Sequence, residues 1–236
     1  MTLPGEVWAW LTDPAHWTGP SGIPMRLAEH VAISAVSIAI ALAIAFPIGL
    51  WVGHTRRGVR LAINLANVGR AIPSLAAIGI VVPFTVLIDP DAGFKVIPTL
   101  IAMVVLAVPP ILVNTYSGVA EVDADLVEAA RAMGLRERQI LGRVELPLGL
   151  PVILAGVRSA SVQVIATATL GAIYGLGALG SYIVEGVAQN DDGKLFGGVV
   201  LVALLALLSE ALLAFAQRRT TPRGLRAAAT TEPAGA

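Results

Sequence analysis

Charge-free apolar runs divide the chain into five blocks. Residues 31–53 give 23 consecutive positions without a charge, 71–88 give 18, 96–120 give 25, 159–184 give 26 and 195–209 give 15. A helix crosses a bilayer core with about 20 apolar residues, so each block predicts one membrane span. The second extends backwards through 61–67, only the first half of the fourth reads well as helix, and the fifth continues past Glu210 to Gln217. The expected fold class is an all-α membrane protein with about five transmembrane helices. The polar stretches set the boundaries. Residues 1–26 carry Pro4, Pro14, Pro20 and Pro24 and predict an extracytoplasmic segment rather than one continuous helix. They lack a basic stretch followed by a short apolar one, so the first span is expected to be an uncleaved anchor. Residues 27–217 form the transmembrane domain, with a loop over 121–150. Residues 218–236, rich in Arg, Thr, Ala and Pro, predict a disordered tail.

Basic residues near span ends mark the cytoplasmic side. With the N-terminus outside, Arg56, Arg57 and Arg60, then Arg131, Arg136, Arg138 and Arg143, then Arg218, Arg219, Arg223 and Arg226 all lie inside. Only Arg26, Lys95 and Lys194 lie outside; Arg70 and Arg158 sit near span ends and do not enter the count. The topology is N-out and C-in. Trp8, Trp10 and Trp17 before the first span and Trp51 at its end fit the two interfacial aromatic belts.

Composition removes several functions. Only 14% of the residues are charged, too few for a soluble surface, and sixteen basic residues balance sixteen acidic ones, which argues against a nucleic-acid partner. With no cysteine there is no disulfide, thiolate nucleophile or Cys-based zinc site. His16, His30 and His54 are too scattered to suggest a metal site. Neither lysine follows a phosphate-binding glycine loop, so the chain has no such route to ATP. Gly175, Gly177 and Gly180 match a dinucleotide-type spacing, but no strand precedes them; a tight turn or close packing at the outer end of the fourth span is expected. Ser181 has no histidine partner. Asp89 and Asp91 flank Pro90 in a solvated outer turn. No catalytic residue is expected.

The stretch 121–147 is the most informative. Asp125 and Glu128 have the spacing of a helix N-terminal cap, and acids in the first turn favour the helix dipole. Gly134 ends that helix, since glycine takes the left-handed conformation readily. A second short helix is expected over 136–144, with Pro147 and Pro151 stopping it and starting the fourth span. Ala129 and Ala130 are placed on the outer face, where small side chains allow close approach to a groove, with Glu128 and Arg131 at its edge.

The string Glu128-Ala129-Ala130-x-x-x-Gly134, followed after nine residues by Val144-x-Leu146-Pro147, resembles the EAA loop of bacterial ABC importer permeases, with Val144 where the family pattern has Ile. With the five spans and the loop position, the resemblance covers nearly the whole chain. It implies the fold of the small methionine-type permeases and assigns Glu128, Ala129, Ala130, Gly134, Val144, Leu146 and Pro147 to coupling. It further implies a cytoplasmic ATPase dimer whose cleft takes the first loop helix, a second permease subunit, identical or paralogous, and an extracytoplasmic substrate-binding protein. The resemblance also implies that the chain needs no cofactor of its own, ATP binding the partner, and that it is a multi-pass protein of the inner or plasma membrane.

The segment Gly69-Arg70-Ala71-Ile72-Pro73-Ser74-Leu75-Ala76 resembles the corresponding segment of osmoprotectant permeases, as do Trp10-Leu11-Thr12-Asp13-Pro14 and the region from Gly175 to Gly186. That resemblance implies glycine betaine, choline, carnitine or a related quaternary amine as cargo. The same machinery carrying methionine or another amino acid, and a secondary transporter, stand as alternatives. Pro73, Ser74, Asn114, Thr167 and Glu210 are candidates for the translocation path, Glu210 because an acid within a span is a functional candidate. The 12 aromatic residues form no evident cage at membrane depth, which puts high-affinity recognition on the binding protein.

Overall fold

The computed structural model describes residues 2–220. Its helices are α1 (Leu3–Thr12), α2 (Ile23–Thr55), α3 (Val59–Ala71), α4 (Ser74–Thr85), α5 (Ala92–Ala120), α6 (Ala124–Ala132), α7 (Glu137–Ile140), α8 (Leu146–Ala168), α9 (Gly180–Gln189) and α10 (Asp192–Thr220). Short 3₁₀ turns follow α1 and α8, a π-turn over Leu141–Glu145 joins α7 to α8, and no strand occurs among the described residues. Four helices are long and apolar enough to cross a membrane, and the α3–α4 pair makes a fifth, broken span. On the charge count, the end bearing α6 is the inner end of the bundle.

The bundle is built around α5. In its most apolar window 56% of residues are buried, against none in α10, which places α5 at the axis and α10 at the rim. Hydrocarbon gives no hydrophobic drive between helices, so close backbone approach through small residues must hold them. Ala41 and Ala45 of α2, Ala107 of α5 and Ala160 and Ala168 of α8 form the central cluster with Met103, Ile111 and Val164. Glycines bring the backbones closer still. A Cβ on Gly49 of α2 would lie 2.6 Å from the Thr115 Cβ, and one on Gly53 would lie 2.7 Å from the Val119 Cβ. We therefore expect Gly49→Leu to destabilise the fold by about 1–3 kcal/mol through overpacking. The check is thermal unfolding in detergent against Gly142→Ala, where a Cβ meets nothing within 4 Å and the melting point should hold.

Four expectations are corrected here. The second span is two helices bent by 92° at Ile72 and Pro73, because a proline disfavours helix at the residue before it. The fourth span starts at Leu146, beside the prolines expected to start it and well ahead of the charge-free run at 159, so Arg158 lies within the helix and not near its end. The second half of the run to 184, which does not read well as helix, is a 3₁₀ turn, a loop and the separate α9. Trp10 is not an interfacial aromatic: it is buried against Ile23, Leu179 and Tyr182, and Gly197 of α10 leaves room for its ring, whereas Trp8, Trp17 and Trp51 are exposed. Of the expected tail, residues 218–220 continue α10, and 221–236 lie outside the described residues.

The outer end contains the glycine turn. Gly175, Gly177 and Ala178 all have positive φ, and the Glu29 carboxylate accepts the Ala178 N–H at 2.9 Å. It is a tight turn, as its lack of a preceding strand suggested. Asp89 likewise caps its own turn, accepting the N–H groups of Asp91 and Ala92.

Candidate functional site

The helix α6 stands at the inner end between the central α5 and the root of α8. Its cap is Asp123, two residues earlier than expected, whose carboxylate accepts the Asp125 N–H at 2.8 Å. Asp125 remains in the first turn, where its charge favours the helix dipole. The C-terminus closes as a Schellman motif: Gly134 has φ 84°, its N–H bonds the Arg131 carbonyl at 3.0 Å, and the Leu135 N–H bonds the Ala130 carbonyl at 3.2 Å.

The two alanines point different ways. Ala129 and Glu128 are exposed, but Ala130 is only 2% exposed and faces inward, which corrects its expected place on the outer face. The outer face instead gains Leu126, 51% exposed, and Met133, 74% exposed. Leu126, Ala129 and Met133 are three and four residues apart and so share one helix face. They form an apolar stripe with a low centre on a helix that the charge count places in water.

Beyond Gly134, Gln139 Oε1 accepts the Arg136 N–H and opens α7. Pro147 and Pro151 do not stop this helix, as the sequence suggested. The π-turn, with the Leu146 N–H on the Leu141 carbonyl, widens the helix just before Pro147, relieving the clash a proline ring makes one turn back. Helix therefore runs from α7 into α8. Val144 and Leu146 are half-buried there and Pro147 is exposed. The π-turn also swings Glu145 inward, where its carboxylate meets His54 Nδ1 at 2.6 Å. His54 Nε2 lies 3.4 Å from Glu137, which forms a two-point ion pair with Arg131 of α6 at 2.9 and 3.1 Å. Thus Arg131 is engaged within the chain rather than at the groove's edge. Its hydrogen bond holds the Glu137 carboxyl below the usual carboxylate range, so the pair is intact at neutral pH and is lost only as pH falls through that lowered value.

The path candidates are not gathered in one place. Pro73 and Ser74 sit at the α3–α4 break, Pro73 exposed and Ser74 half-buried. Asn114 of α5 donates to the Pro110 carbonyl of its own helix at 2.8 Å and fills the space left by Gly156 of α8. Thr167 is buried near the outer end of α8. Glu210 accepts a hydrogen bond from Arg158, which also donates to Gln217 at 2.6 Å, and Gln217 donates to the Pro151 carbonyl at 2.7 Å. Cavities of 430 Å³ between α2, α3 and α5 and 630 Å³ between α2, α8 and α10 are mostly apolar, with the Trp51 indole lining the first and Ser34, Ser161 and Ser209 the second. Neither is lined by a charged side chain. Among the described residues no cluster of His, Asp and Glu could hold a metal ion.

Residues 45–223 match the family described as the binding-protein-dependent transport system inner membrane component. The chain belongs to this family. It is a multi-pass inner-membrane component of a transport system, and the family match takes in the α6 loop and the Arg158–Glu210 pair. A glycine betaine/carnitine/choline transport system permease protein of Bacillus subtilis is 31% identical over 85% of this chain and 89% of its own length. A carnitine transport permease protein of Listeria monocytogenes is 34% identical over 85% of this chain and 88% of its own. An inward-facing structure of the MetNI methionine ABC transporter superposes with a TM-score of 0.75 at 23% identity, covering 89% of this chain and all of that one, which establishes the fold expected from the loop.

Proposed function

We propose that the chain is the permease subunit of an ATP-driven importer of quaternary-amine osmoprotectants, coupled through α6 to a cytoplasmic ATPase. The observation that carries the coupling is the exposed Leu126–Ala129–Met133 stripe on a helix closed at both ends. An apolar face on a helix in water is suited to a groove, the helix-in-groove mode of recognition. ATP hydrolysis is assigned to the partner, in line with the missing phosphate loop. The apolar cavities of the single chain favour a path formed between two permease subunits, and a binding protein delivers the solute from outside. The substrate class rests on relatives that are permeases for glycine betaine, carnitine and choline; the methionine transporter is similar in fold alone.

The test is uptake of labelled glycine betaine, choline, carnitine and methionine by cells expressing the complete operon. Energy-dependent uptake of one or more quaternary amines, without methionine uptake, is expected. Methionine uptake alone would overturn the substrate class, and uptake by the isolated chain without an ATPase would overturn the importer reading.

A further inference from the structure

The loop motif leaves unassigned the position between Val144 and Leu146, and it does not reach α2. The structure joins both to the docking helix. Among the described residues, Arg131 is the side chain that ties α6 to α7, through its two-point pair with Glu137. That pair is half-exposed, and a surface ion pair by itself holds little. Glu137, however, also faces His54, whose other nitrogen bonds the Glu145 carboxylate; the His54 and Glu145 side chains are only 17% and 7% exposed. A charge-assisted hydrogen bond is stronger where water is excluded.

The residue type fits the task. A carboxylate only accepts, so the imidazole nitrogen facing Glu145 carries the hydrogen. In its charged form an imidazole carries an N–H on each side of a rigid ring and can face two carboxylates at once; an asparagine can serve one of them, and a leucine neither. His54 also sits at a fixed point. The neighbouring Gly53 seats the inner end of α2 on α5, with no room for a Cβ beside Val119, and the chain turns away at Arg56 with φ 58°. The inner end of α2, the start of α7 and the root of α8 therefore converge on one ring.

We infer that His54 is a positioning residue for coupling, pinning Glu137 and Glu145 to the inner end of α2 so that displacement of α6 is carried into α8 instead of being absorbed by the loop. This rests on the reading that α6 docks on an ATPase. The test uses the complete importer in liposomes, with substrate moved per ATP hydrolysed as the readout, together with retention of the ATPase on purification. His54→Leu should keep the ATPase bound and hydrolysing while transport per ATP falls about tenfold, as expected for losing a hydrogen bond to a charged group. His54→Asn, which keeps a donor for Glu145 alone, should fall only about threefold. A parental ratio in His54→Leu overturns the inference. If His54→Leu does not assemble, His54→Asn decides: a reduced ratio with the ATPase bound supports the role, and a parental ratio refutes it. Failure of the unaltered chain to retain an ATPase would instead remove the docking reading, and this inference with it.

Discussion

Gly134→Val is expected to cut uptake about tenfold or more, because a Cβ in the left-handed region costs about 1–2 kcal/mol and a β-branched one fits worst. A Cβ at Gly134 would meet nothing within 4 Å, so the effect would come from the backbone and not from packing. The 9-residue α6 has little intrinsic stability, and its last turn depends on the two Schellman bonds that the φ of 84° allows. Losing that turn displaces Met133 from the stripe. Gly134→Asn should retain most uptake, since asparagine tolerates the left-handed region. Membrane levels should match the parent in both variants. Full uptake in Gly134→Val would show that the closed end of α6 has no part in transport.

Glu210→Leu should be the most destabilising single change in the spans. It leaves the Arg158 guanidinium without its counter-charge inside the bundle, a loss of about 3–5 kcal/mol for a broken buried pair. The pair is about a third exposed in the single chain, which tempers this towards the lower figure. Replacing both partners, Arg158→Met with Glu210→Leu, removes the unpaired charge and should return the melting point in detergent to near the parental value. Uptake should return with it if the pair is an interhelical staple between α8 and α10. Recovered stability without recovered uptake would place Glu210 on the translocation path.

The same pair shows what the sequence could and could not reveal. The spans were legible because an 18-residue run without charge has few alternatives to a membrane. Arg158 broke such a run and so read as a boundary, since its neutralising partner lies 52 residues away and leaves no local trace. Pro147 read as a stop for the same kind of reason: the π-turn that accommodates it is a feature of the helix around it, not of the proline. The inward face of Ala130 depends on how α6 leans on the bundle, which helical spacing leaves open. Leu126 and Met133 stood in the right register for a stripe, yet without the helix phase they were indistinguishable from core. Glu145 occupies the one position between Val144 and Leu146 that the motif leaves free, and only the folded chain brings His54 to it.

The central claim is that the Ala129 face of α6 lies in the cytoplasm and is covered by an ATPase. The chain has no cysteine, so Ala129→Cys introduces a unique thiol. A membrane-impermeant thiol reagent should label it in inside-out vesicles stripped of the ATPase, leave it unlabelled in right-side-out vesicles, and lose access once the ATPase is added back. Labelling from the exterior, or labelling that the ATPase does not diminish, would contradict the account.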